Sequence, residues 1–78
     1  MYYVYVLVCG NKSVYTGCTD NLKERLNRHR HGWVQSTKDR LPVSLRTYTV
    51  FNNRNKAFKF EKYLKSGSGR AFLKRHLT

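Results

Sequence analysis

Residues 2–8, Tyr-Tyr-Val-Tyr-Val-Leu-Val, restrict the fold more than any other stretch. β-Branched and aromatic residues fill both alternating faces: Tyr3, Tyr5 and Leu7 on one, Val4, Val6 and Val8 on the other. Such a run reads as a strand covered on both sides. Gly10-Asn11 supplies turn chemistry, and residues 13–17 read as a second strand with Val14 and Thr16 opposite Tyr15 and Gly17. Loop parity then decides the hairpin. If Gly10-Asn11 alone is the loop, Tyr5 faces away from Tyr15. An odd loop, Gly10 to Lys12 or Cys9 to Ser13, places Tyr5, Tyr15 and Gly17 on one face. It also joins Val4, Val6, Val8 and Val14 on the other. The odd loop is expected because it gathers the valines, and a slip of one residue would reverse the arrangement.

Helix signals follow. Thr19-Asp20-Asn21 opens a helix that runs to about His31 and ends near Gly32, with Asn21 and Glu24 spaced as a capping pair. Leu22, Leu26 and His29 share its inner face, with Arg25 on the border. Residues 32–42 form a polar loop long enough to suit a binding role. Residues 43–51 read as a third strand, with Val43, Leu45, Thr47, Thr49 and Phe51 on one face and Ser44, Arg46, Tyr48 and Val50 on the other. Asn52 or Asn53 caps a second helix, about 54–65, that Gly67 ends. Ser68 is expected to cap a last helix, 69–77, with a stripe of Phe72, Leu73 and Leu77. The expected class is α+β, with one domain over residues 1–78.

Sixteen Lys and Arg face four Asp and Glu, a formal charge of +12 on 78 residues. So much like charge repels itself in a compact chain and points to a polyanionic partner. Nucleic acid is the first choice. A membrane surface is disfavoured, because no segment pairs a wide apolar face with a basic one. No run approaches the ~20 apolar residues of a membrane span, and nothing reads as a signal peptide. A cytoplasmic protein is expected. Cys9 and Cys18 lack close metal spacing and fall on different faces, so both are expected to be reduced packing residues.

Glu61 is the most telling single residue. It is one of four acids, yet with Ala57, Phe60 and Leu64 it lies on the apolar stripe of the second helix. A carboxylate there needs a partner. The ordinary reading is an ion pair with Arg25 or a neighbouring lysine. The functional reading is a ligand for one Mg²⁺-like ion, which tolerates a single carboxylate with water and phosphate oxygens. Arg25 suits a phosphate or a structural salt bridge. His29 suits an acid–base role, or a buried structural one. Strand tyrosines most often pack.

The order Tyr3-Val4-Tyr5, Tyr15-Thr16-Gly17, Arg25-Leu26-Asn27-Arg28-His29, then Glu61, resembles the GIY-YIG nuclease superfamily across essentially the whole chain. It is most similar to the small stand-alone bacterial proteins, and resembles the excision-repair nuclease module and the Slx-type endonuclease domain. Tyr3 stands where the first motif has glycine, Thr16 is the middle residue of the second, and no Asn follows Glu61 as it does in many members. The resemblance implies a three-stranded antiparallel sheet flanked by helices in the order ββαβαα. It implies a metal-dependent endonuclease acting on nucleic acid, DNA favoured, with structure-specific cleavage in repair or recombination. One divalent ion, Mg²⁺ or Mn²⁺, would sit on Glu61. Arg25 would steady the phosphate, Tyr5 would activate the attacking water, Tyr15 would contact phosphate or share the proton relay, and His29 would carry a proton. A metal and a cation beside two phenols are expected to lower a phenol's pKa. Lys12, Lys38, Arg40 and Arg46 are candidate nucleic-acid contacts, and a separate protein could supply the target. The alternative is a nucleic-acid-binding module without useful turnover. A purely structural protein fits worst, because it leaves the charge and Glu61 unexplained.

Overall fold

The apolar run becomes β1 (Tyr2–Val8), the middle strand of a three-stranded antiparallel sheet of order β2-β1-β3. The computed structural model describes residues 1–77. β2 is Val14–Thr19, α1 Leu22–Arg30, β3 Ser44–Phe51, α2 Arg54–Lys65 and α3 Gly67–Phe72. The order is therefore ββαβαα, and the odd loop is realised. Tyr5 pairs with Gly17, Leu7 with Tyr15 and Val8 with Val14. Cys9 N–H donates to the Ser13 carbonyl at 2.8 Å, which leaves Gly10 to Lys12 as the turn, with Lys12 at φ 69°.

Each face of β1 has its own core. Val4 and Val6 pack with Ala57, Leu64 and Leu73 beneath the C-terminal helices. Tyr5 and Leu7 pack with Leu26 of α1, flanked by Tyr15, Leu22, Val43 and Leu45. Val14 shares the valine face but is exposed at the hairpin end, so the expected four-valine surface is covered only in part.

The third strand departs from its simple alternation. Val6 pairs with Thr47, but Leu7 pairs with Leu45, so Arg46 is an extra residue at a bulge. The bulge divides the expected single face. Val43 and Leu45 join the tyrosine-side core, and Phe51 joins the valine-side core. A strict period of two cannot express one inserted residue.

Capping follows the asparagines. Asn21 Oδ1 accepts from Glu24 N–H, and Asn53 Oδ1 accepts from Lys56 N–H, each at 3.1 Å. At the C-terminal end the expectation of a Ser68 cap, with Gly67 as a stop, is corrected. Ser66 closes α2 and caps α3, its Oγ accepting from Gly69 N–H at 3.1 Å. The chain continues as a π-helical stretch, Leu73–Leu77. A side chain at Gly69 would overlap the Tyr63 carbonyl, which lets α3 turn back closely on α2. Leu73 is buried as expected; the Leu77 side chain lies outside what is described.

The 32–42 loop folds back on the hairpin. Gly10 N–H donates to the Arg40 carbonyl at 2.7 Å, and a Cβ at Gly10 would strike the Leu41 carbonyl. Both cysteines are free thiols. No described helix is long and apolar enough to cross a membrane.

Candidate active site

The hairpin register sets Tyr5 and Tyr15 on one face of the sheet, and α1 lays His29 against both. The Tyr5 hydroxyl is hydrogen-bonded to His29 Nε2 at 2.8 Å. The Tyr15 and His29 rings lie 5.1 Å apart, and those of Tyr5 and Tyr15 6.2 Å apart. Gly17 makes room for this. A Cβ there would come within 2.5 Å of the Tyr5 hydroxyl, so the second motif's glycine is a steric requirement of the first motif's tyrosine.

The other ring nitrogen is also engaged. His29 Nδ1 lies 2.8 Å from Thr37 Oγ1, and Tyr5, His29 and Thr37 are all fully buried. A neutral imidazole has one donor and one acceptor nitrogen. The phenol is the stronger acid, so Tyr5 O–H donates to Nε2 and Nδ1–H donates to Thr37, an assignment from acidity and geometry. Burial and then Arg25 hold His29 below its ordinary pKa. Burial, then the neighbouring Tyr15, push the Tyr5 phenol well above its ordinary value, although Arg25 pulls the other way. Without a metal, desolvation of Tyr5 outweighs the single guanidinium of Arg25.

Arg25 and Glu61 come from helices packed on opposite faces of the sheet. Arg25 acts electrostatically on Tyr5, His29 and Cys18; Glu61 acts on Tyr5 and Cys18. Burial and then Glu61 raise the Cys18 thiol pKa. The Glu61 carboxylate pairs with Lys65 Nζ at 3.0 Å, one turn along α2. Of the two ordinary partners foreseen, the neighbouring lysine is the one observed. The Glu61 side chain is 20% exposed and that of Lys65 52%, so the pair is close to solvent.

The basic candidates separate. Lys12 lines a groove with Tyr15. Lys38 and Arg46 are exposed, but Arg46 is on β3, across the sheet from the β2 edge. Arg40 is engaged within the chain: Nη2 donates to the Ser36 carbonyl and Nη1 to Ser13 Oγ, both at 2.7 Å, clasping loop to hairpin. Thr37 and Arg54 were not singled out by sequence. Thr37 hides in a polar loop, its only signal being that a buried histidine needs two partners. Arg54 shares a recess of about 270 Å³ with Arg25 and Cys18, and its guanidinium lies 5.1 Å from the Phe58 ring centre. Nothing in the sequence separates it from fifteen other cations.

Among the described residues, no three of His, Cys, Asp and Glu gather as a ready-made metal cluster. An ion held by Glu61 would have to tolerate a single carboxylate. Mg²⁺ and Mn²⁺ meet that condition, since they bind hard oxygen and retain water; zinc, which favours a filled nitrogen and sulfur shell, does not.

Known proteins resemble this chain in sequence and fold. The family described as GIY-YIG catalytic domain matches residues 1–75. A UPF0213 protein of Streptococcus pyogenes (strain Manfredo) is 43% identical over 70 residues, covering 88% of this chain and 76% of the relative. A second UPF0213 protein, from the S. pyogenes M3 strain SSI-1, has the same identity and coverage. The solution NMR structure of a UPF0213 protein from Bacillus halodurans superposes with a TM-score of 0.59 at 31% identity, over 94% of this chain and 82% of that one.

Proposed function

The chain belongs to the GIY-YIG family, whose catalytic domain implies nuclease activity, and on that premise we propose a metal-dependent endonuclease that hydrolyses phosphodiester bonds, in DNA before RNA. The observation that carries the reading is the 2.8 Å bond from the Tyr5 hydroxyl to His29 Nε2, with Arg25 and Glu61 in electrostatic reach of the same phenol.

Phosphodiester hydrolysis needs a proton acceptor for the attacking water and positive charge for the phosphate. Burial keeps Tyr5 a neutral phenol near pH 7, and burial keeps His29 a neutral imidazole. Tyr5 acts as a relay: its proton passes to Nε2 as its oxygen receives the proton of the water. His29 is the acceptor, and Thr37 fixes the ring. Tyr15 and Arg25 are only partly buried and are the groups that meet the phosphate. A guanidinium presents a fork of donors matched to two phosphate oxygens. Glu61 would hold one Mg²⁺ or Mn²⁺. When bound, that ion supplies Lewis-acid stabilisation of charge on the phosphoryl oxygens. Lys65 does not bar it, because an exposed ion pair of this spacing is weak.

The test uses labelled nicked, branched and single-stranded DNA, and RNA, each with Mg²⁺ or Mn²⁺. Wild type is expected to cleave, and a chelator or Glu61→Ala to abolish cleavage. Tyr5→Phe is expected to slow it by about 10²–10⁴-fold, the usual range for a lost acid–base group. Tight binding with no metal-dependent cleavage would replace this reading with that of a binding module. Undiminished cleavage by Glu61→Ala would remove Glu61 as the metal ligand.

A further inference from the structure

A groove of about 580 Å³ runs between the hairpin and the C-terminal helices. Four cations line it: Lys12 from the turn, Lys65 from α2, Arg70 from α3 and Lys74 from the π-helical stretch. No acidic residue is among its lining residues. Three of the four come from the last fourteen residues, where the sequence patterns mark only helix and core. Val14 and Leu64 give the groove an apolar floor, and Tyr15 stands on its wall. Lys65, which lines the groove, also holds Glu61.

We propose that this groove is the track of a single polynucleotide strand, whose phosphates lie on Lys12, Lys65, Arg70 and Lys74 and which reaches the active site past Tyr15. The proposal rests on the nuclease reading above and adds the strand's path and form. Charge selects a polyanion, because four cations converge with no carboxylate among the lining residues; among the described residues only Lys65 of the four is ion-paired, with Glu61 outside the lining. The apolar floor selects a chain with sugar or base faces as well as phosphates. Size favours one strand: the volume is that of an ordinary small-ligand pocket, on the scale of a short run of nucleotides. Topology selects the direction: β2 is an edge strand, and Tyr15, one of the groove's lining residues, turns its ring to the Tyr5–His29 cluster on the other face, so the polynucleotide passes around that edge. Arg70 and Lys74 are exposed, so changing them should leave the fold intact.

The test measures binding of a fluorescent single-stranded oligonucleotide, as DNA and as RNA, in a chelator so that nothing is cut. The groove variant Arg70→Glu/Lys74→Glu is compared with Lys23→Glu/Arg30→Glu, an equal charge change on the exposed side of α1. Circular dichroism and thermal melting check that both fold. The groove variant is expected to lose at least tenfold more affinity than the control. Its salt slope should fall by about 1.4 in log–log terms, at about 0.7 for each of two lost phosphate contacts on a single strand. An oligonucleotide with uncharged methylphosphonate linkages should bind neither protein well. Equal losses in the two variants, or undiminished binding of the uncharged strand, would overturn the track. If wild type binds and cuts while the variants match, the track alone falls. If wild type binds no nucleic acid at low salt, the nuclease reading falls with it.

Discussion

The Tyr5–His29–Thr37 chain is a buried polar network in which each member satisfies the next, and no buried side-chain polar atom among the described residues lacks a partner. Such chains specify a core when complete and are costly when broken. Thr37→Val keeps the shape but removes the oxygen from His29 Nδ1. The expected loss is about 1–3 kcal/mol, the usual penalty for a buried group left unpaired, read from urea unfolding. Cleavage should fall as well, although Thr37 touches no substrate, because the imidazole loses its fixed tautomer. Thr37→Ser, which retains the oxygen, should restore much of that rate. The same chain sets an acid limit to stability. The folded pKa of His29 lies below its ordinary 6.5, so beneath that pH the unfolded chain takes up a proton that the folded chain refuses. Stability is present above 6.5 and is lost as pH falls towards the folded value. The slope contributed is at most about 1.4 kcal/mol per pH unit for one proton. His29→Gln should flatten that part of the profile in pH-dependent urea titrations. A profile unchanged by the substitution would assign the acid sensitivity to other groups.

Elements decide how those side chains are presented, and at this scale the sequence was uneven in what it disclosed. Hairpin register was legible because period-two alternation with an odd loop allows one way of gathering valines, and Tyr5 duly pairs with Gly17. Asparagine caps were legible because their oxygens act within a few residues. The bulge at Arg46 was not, since its cause is cross-strand pairing rather than local pattern. Ser66 was missed for a related reason. One serine serves two helices, and a reading that gives each helix its own cap passes over it. Among site residues, Tyr5, Tyr15, Arg25, His29 and Glu61 carried the motif spacing, whereas Thr37 and Arg54 carry no spacing that marks them. α2 offers a direct check on its own presentation of Glu61. Lys65 competes with any cation for that carboxylate one turn away. Lys65→Ala should therefore tighten Mn²⁺ binding about twofold, the scale of an exposed i,i+4 pair at about 0.3–0.5 kcal/mol. Paramagnetic relaxation of water protons measures this without any cleavage assay. Weaker Mn²⁺ binding in Lys65→Ala would mean that the lysine orients the carboxylate rather than blocks it.

For the molecule as a whole, one cause should act with opposite signs on stability and on binding. The charge is +12, and the extents are only 28 × 26 × 17 Å. At 0.01 M salt the screening length is about 30 Å, so every cation feels every other across the whole body. At 0.15 M it is about 8 Å, and repulsion is confined to near neighbours. Among the described residues a single salt bridge, Glu61–Lys65, relieves this locally. Added NaCl should therefore stabilise the fold. Each 1 kcal/mol of relieved repulsion raises the Tm of a domain this size by about 4–8 °C. The same salt should weaken nucleic-acid binding, because released counterions drive it. Four groove phosphates give a log–log slope of about −3, or about a thousandfold loss per tenfold rise in salt. Tm by circular dichroism and oligonucleotide affinity, measured in one set of NaCl buffers with chelator, should move in opposite directions. If both fall together, screened repulsion is not the destabilising force. If Tm rises in sulfate but not in chloride, the effect is anion binding at a particular site, and the cations of the groove are where such an anion would be sought.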